Sequence, residues 1–135
     1  MSYPIADIEG IGPVYAGKLE AAGIKTTGAL LKRAASPKGR KDLSSESGLE
    51  ESQILKWANM ADLMRVKGVG EEYSELLEAA GVDTVKELRN RRADNLHAKM
   101  VEVNAEKKLV RVLPGLSNVE RWVAHAKELD PVMTY

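Results

Sequence analysis

An all-α fold of two tandem units, each of about four to five helices and fused through a shared helix, follows from three observations. First, Ile8-Glu9-Gly10-Ile11-Gly12-Pro13-Val14-Tyr15-Ala16 returns as Val66-Lys67-Gly68-Val69-Gly70-Glu71-Glu72-Tyr73-Ser74. The match continues through Leu19/Leu77, Ala21-Ala22-Gly23/Ala79-Ala80-Gly81, Thr26/Thr84 and Leu30/Leu88, always at an offset of 58. Second, the remainder has helical apolar spacing and helix punctuation. Third, almost nothing alternates as a strand does. Val101-Glu102-Val103 alternates, but helix formers surround it.

Each element has a local reason. Ile5 and Ile8 sit one turn apart on a short opening helix, which Gly10-Ile11-Gly12 breaks. Pro13 stands at a first helical position, where its missing N–H costs nothing. Leu19 and Ala22 continue the apolar face, and Gly23 reads as the glycine that ends the helix. Thr26 is the expected N-cap of a helix through Arg33, and Thr84 caps its counterpart with Glu87 at capping-box spacing. Ser36-Pro37 opens a helix that ends near Gly48. A longer helix carries Ile54, Leu55, Trp57, Ala58, Ala61, Leu63 and Met64 into the second glycine turn. Asp94 is the expected cap of a helix through Val103. Ser117-Asn118-Val119-Glu120 reads as a capping box for the last helix, which Asp130-Pro131 ends.

Trp122 matches Trp57 at an offset of 65 rather than 58, so the second copy carries seven more residues before its tryptophan. Both read as core tryptophans, one per unit, with partial exposure of Trp122 as a docking anchor left open. The units are 1–65 and 66–135. No Gly/Ser-rich or Pro-rich linker parts them, so they are expected to pack as one body.

Composition narrows the class. Without Phe, the core rests on Leu, Val, Ile, Ala and Met. Without Cys, disulfides and thiolate metal sites are excluded. No apolar run reaches membrane-spanning length, and Met1-Ser2-Tyr3-Pro4 lacks the basic and apolar regions of a signal peptide. A cytoplasmic protein that does not enter membranes is the expectation. Twenty basic and twenty acidic residues cancel, against the basic excess usual in nucleic-acid binders.

The repeated spacing is apolar-x-x-apolar-x-Gly-apolar-Gly-x-x-x-small-x-x-apolar. It is filled by Ile5, Ile8, Gly10, Ile11, Gly12, Ala16 and Leu19, then by Leu63, Val66, Gly68, Val69, Gly70, Ser74 and Leu77. This resembles the helix–hairpin–helix motif. The longer unit resembles the small helical N-terminal domains of recombinases. The whole chain resembles a bacterial family of tandem helix–hairpin–helix proteins of unknown function. The resemblance implies free helix-start amides that cradle a DNA phosphate without reading sequence. It also implies hairpin carbonyls able to hold a monovalent cation; no other cofactor is expected.

Two departures bear on DNA. Where DNA-binding hairpins often carry Lys or Arg, the first copy has Pro13 and Val14 and the second has Glu71 and Glu72. Glu71, Glu72, Glu75 and Glu78 would repel phosphate. A nucleic-acid surface therefore falls to the first copy: Gly10, Ile11, Gly12, Val14 and Lys18, with the basic cluster Lys32, Arg33, Lys38, Arg40 and Lys41. A second cluster, Arg89, Arg91 and Arg92, reads as a solvated helix face. Tyr15 and Tyr73 read as core-edge tyrosines with exposed hydroxyls.

Catalytic signals fail. Gly12 to Leu19 nearly fits a P-loop, but Leu19 replaces the hydroxyl that would reach Mg²⁺ and no strand precedes it. His97 and His125 lie in different helices without ligand spacing, and no metal is expected. No nucleophile–base–acid set stands out. Two non-enzymatic classes remain: sequence-independent binding of duplex DNA through the first hairpin, or a protein-interaction module without DNA.

Overall fold

The computed structural model describes residues 2–135. A 3-10 turn at Ile5–Asp7 precedes α1 (Pro13–Ala21), α2 (Thr27–Ala34), α3 (Pro37–Ser47) and α4 (Glu51–Leu63). There follow α5 (Glu71–Ala79), α6 (Val85–Arg89), α7 (Ala93–Lys107) and α8 (Leu116–Glu128). Among the described residues there is no strand, only an isolated antiparallel bridge between Pro4 and Thr26.

Most helix ends lie where their punctuation put them. Pro13 and Pro37 occupy first-turn positions. Thr26, Ser36 and Thr84 accept from the backbone N–H groups of Ala29, Gly39 and Glu87 at 3.1, 3.1 and 3.2 Å. Such caps satisfy amides that the helix cannot. Three expectations need correction. The opening helix is only the 3-10 turn, because Gly10 follows too soon for a full α turn. The cap of α7 falls on Arg92, whose side chain makes no cap bond, and Asp94 lies inside the first turn. Gly115, in extended conformation, is the N-cap of α8 two residues before Ser117, so Ser117 sits within the helix and caps nothing.

Repeated residues occupy repeated local geometry. Gly10 and Gly68 adopt φ of +90° and +91°, a region that disfavours side chains. Ile11 N–H donates to the Ile8 carbonyl at 3.1 Å, and Val69 N–H to the Val66 carbonyl at 3.0 Å. The closing turns match too: Ile24 N–H to Leu19 carbonyl and Val82 N–H to Leu77 carbonyl are both 2.9 Å. That bond satisfies a late carbonyl of the helix.

The buried apolar side chains form two clusters. One gathers Ile5, Ile8, Ile11, Leu19, Leu30, Leu43, Ile54, Trp57 and Met60. The other gathers Leu63, Val66, Val69, Leu77, Leu88, Met100, Val119, Trp122 and Val123. Helix α4 passes from one to the other, contributing Met60 to the first and Leu63 to the second. Both tryptophans are 4% exposed, which removes the docking-anchor alternative for Trp122.

The segment after α8 carries no helical pattern in the sequence, yet it packs. It crosses back to the first cluster, burying Met133 there. Thr134 N–H donates to the Ala35 carbonyl at 2.8 Å. Tyr135 Oη donates to Asn59 Oδ1 at 3.0 Å. The end of the chain thus straps the last helix to the first half.

Candidate functional site

The first turn is open where its motif is expected to act. Gly12, Pro13 and Val14 are exposed, Val14 at 70%. A Cβ at Gly12 would meet nothing within 4 Å. Gly12 supplies no side-chain cap. The amides of Val14 and Tyr15, in the first turn of α1, therefore have no partner among the described residues. Ile11 is different: it is 6% exposed and plugs the core.

The electrostatic setting of this turn is acidic. Glu9 and Gly10 face α5 across a cleft of about 270 Å³, also lined by Lys56, Glu75, Glu78 and Lys107. Partial burial, with the charges of Glu9 and Asp7 and then of Glu72, pushes the Glu71 carboxyl above its ordinary range. Glu75 is raised by partial burial and Glu9, against the lowering effect of Lys56. Carboxylates from both turns therefore share one potential. The sequence, read one copy at a time, gives no sign of this meeting.

The basic cluster at 32–41 is weaker than its spacing suggested. Arg40 must be removed from it. Its side chain is buried, at 6% exposure. Nη1 donates to the Ala34 and Ala35 carbonyls at 3.0 and 3.1 Å, and Nη2 to the Thr134 carbonyl at 2.8 Å. Arg40 thus caps the end of α2 and holds the C-terminal strap, with Tyr135 stacked against it. The physical reason is the supply of orphan carbonyls at a helix end. Arg33 is paired with Glu46. Lys32, Lys38 and Lys41 remain exposed on α2 and α3, and Lys18 on α1. No hydrogen bond or ion pair joins them to Gly10, Gly12 or Val14 among the described residues.

The second turn is built differently around the same trio of glycine, tyrosine and tryptophan. Tyr15 and Trp57 have ring centroids 5.2 Å apart, as do Tyr73 and Trp122. Gln53 donates to Tyr15 Oη at 3.4 Å, whereas Tyr73 Oη donates to the Val112 carbonyl at 3.0 Å. Each tyrosine is half-buried at the edge of its cluster, and each hydroxyl has a protein partner. Val112 lies in the segment between α7 and α8, the stretch that lengthens the second copy. It is 70% exposed, Leu113 41% and Leu116 42%.

The two histidines have structural partners. His97 Nε2 meets the Pro114 carbonyl at 3.0 Å, and His125 Nδ1 accepts from the Lys67 amide at 3.0 Å. No group of His, Asp and Glu among the described residues is arranged to hold a metal ion. No helix among them is long and apolar enough to cross a membrane.

The family model that matches is the Domain of unknown function (DUF4332), over residues 9–129. The chain belongs to the DUF4332 family. No solved structure matches the chain. The DUF4332 match takes in both glycine turns, the acidic α5 and the exposed 112–116 segment, and it stops short of the strap at 131–135. The family description names no activity.

Proposed function

We propose that this chain is a non-catalytic protein-interaction module built from two tandem helix–hairpin–helix units, 1–65 and 66–135. The observation that carries the reading is the exposed apolar segment Val112, Leu113 and Leu116, fastened beside the second turn by the Tyr73–Val112 bond. Apolar residues gathered at one surface site are a mark of protein contact. The acidic setting of both turns supports a partner other than DNA. Replacing Val112 and Leu113 together by Asp tests this. Crosslinking in nuclease-treated cell extract should capture a discrete partner with the wild-type protein. The double variant should lose it while keeping its helical circular dichroism. Equal capture by both proteins would sink the reading.

A second reading is favoured by the unpartnered Val14 and Tyr15 amides: sequence-independent contact of the first hairpin with a DNA phosphate. A helix start of this kind carries partial positive charge that needs no side chain. Fluorescence anisotropy with duplex DNA at low salt separates the two readings. The interaction reading expects no binding tighter than about 10⁻⁴ M, the weak edge of ordinary non-specific binders. Salt-sensitive binding abolished by Gly12→Val would establish the DNA reading instead.

A further inference from the structure

We propose that the cavity between the second turn and α8 binds a small, flat carboxylate, with the Trp122 indole N–H as its central donor. The cavity measures about 590 Å³ and is lined by Lys67, Gly68, Tyr73, Arg121, Trp122 and His125, among others. That volume lies in the range of small-ligand sites.

Trp122 is the reason to expect a ligand. Its side chain is almost wholly buried, yet its Nε1–H has no acceptor among the described residues. A donor that no protein group occupies and that solvent reaches is free to serve a ligand. Its Nε1 edge lies at Gly68: a Cβ placed there would stand 3.0 Å from Nε1. Among the described residues no side-chain nitrogen or oxygen is both sealed and unsatisfied, so Nε1 opens onto the accessible space beside Gly68, which is this cavity.

The wall around it offers further donors. Lys67 N–H donates to His125 Nδ1, so the neutral ring carries its proton on Nε2. Lys67 brings an ammonium, and Arg121 a guanidinium of which one N–H reaches Asn118 Oδ1. Glu128 is the one carboxylate among the lining residues. Donors therefore outnumber acceptors, which selects an oxyanion. The Tyr73 and Trp122 rings, inclined at 47°, supply an apolar wall for a flat body.

The first copy shows what the site requires. At the offset set by the tryptophans, Asn118, Arg121 and His125 correspond to Gln53, Lys56 and Met60. At the offset of the turns, Lys67 corresponds to Glu9. Gln53 bonds Tyr15, Met60 is buried apolar core, and Glu9 is acidic. The first copy therefore keeps the tryptophan and one cation, Lys56, but has the acidic Glu9 in place of Lys67.

The test follows the two indole ¹H–¹⁵N resonances, assigned with Trp57→Phe and Trp122→Phe. Titration with benzoate should move the Trp122 signal and leave that of Trp57 in place. Benzyl alcohol, of similar shape without the charge, should bind at least about tenfold more weakly. Arg121→Gln, at an exposed position, should weaken benzoate by a similar factor. The proposal is overturned if millimolar benzoate leaves Trp122 unmoved or moves both indoles alike. Equal responses to benzyl alcohol, or to inorganic phosphate, overturn it as well, since charge or ring would then be irrelevant.

Discussion

The turn at Gly10 and the turn at Gly68 share backbone angles, closing hydrogen bonds and a facing Tyr–Trp pair. They differ in what completes them. In the first half, Tyr3 contributes a backbone carbonyl to Thr27 N–H at 2.8 Å. In the second, the chain arrives as helix α4 rather than as an extended strand of backbone. The side chain of Asp62 takes over, its Oδ2 accepting from Val85 N–H at 2.9 Å in a buried setting. Arg65 Nη1 donates to the other oxygen at 2.8 Å. Identical glycine turns thus tolerate different supports, provided each buried amide finds an acceptor. The glycines specify the bend, and the flanking chain specifies how the bend is held.

The sharpest way to break this comparison is at the tryptophans. Trp57→Ala and Trp122→Ala should each destabilise the protein by about 3–5 kcal/mol. The loss at Trp122 should be the smaller, because that ring already borders a cavity. Urea unfolding followed by circular dichroism measures both, and an equal or reversed order would refute the distinction.

Asp62→Ala should come next, at about 1–3 kcal/mol, because it leaves the buried Val85 N–H without an acceptor. Asp62→Asn keeps an acceptor there and should recover part of the loss. If both variants lose the same amount, the charge pairing with Arg65 matters more than the amide.

The two threonine caps offer a smaller and symmetric test. Thr26→Ala and Thr84→Ala should cost about 1 kcal/mol each. A large inequality in thermal unfolding would show that the two halves depend differently on the same cap.

The smallest effect concerns charge. Glu75 has its folded pKa raised above the ordinary 4.5, so its ionised form is disfavoured in the folded protein. The resulting penalty is fully present above the raised folded value. It is relieved as pH falls through that value toward 4.5. Glu75→Gln should therefore raise the unfolding midpoint slightly at neutral pH. The gain should vanish at pH values below the ordinary glutamate range, since wild-type Glu75 is then protonated in both states. A gain that persists in acid would mean that packing, not charge, is responsible.

Much of the local structure was legible in the sequence because its causes are local. A proline at a helix start, a threonine three residues before a free amide and a glycine at positive φ act within a few residues. Where two local signals competed, the reading slipped. Asp94 and Ser117 both look like caps, but Arg92 and Gly115 already hold the extended backbone that a cap position needs. The candidate site was legible only in part. Gly12 and Val14 stand exposed as the motif requires. Arg40 looked like one more cation in a basic run, and nothing nearby in sequence tells of its partner Thr134, 94 residues away.

By itself, the sequence determined the helical class, the two glycine turns, most helix ends and the apolar residues that fill the two clusters. Those follow from spacing, and spacing survives without knowledge of the partner. Only the tertiary structure decided which charges meet. It brought Glu9 against Glu75, drew Arg40 beneath the C-terminal strap and left an indole N–H facing a cavity at one tryptophan. Electrostatic and hydrogen-bonding outcomes depend on distances of a few ångströms between residues far apart in the chain. A linear pattern does not contain those distances.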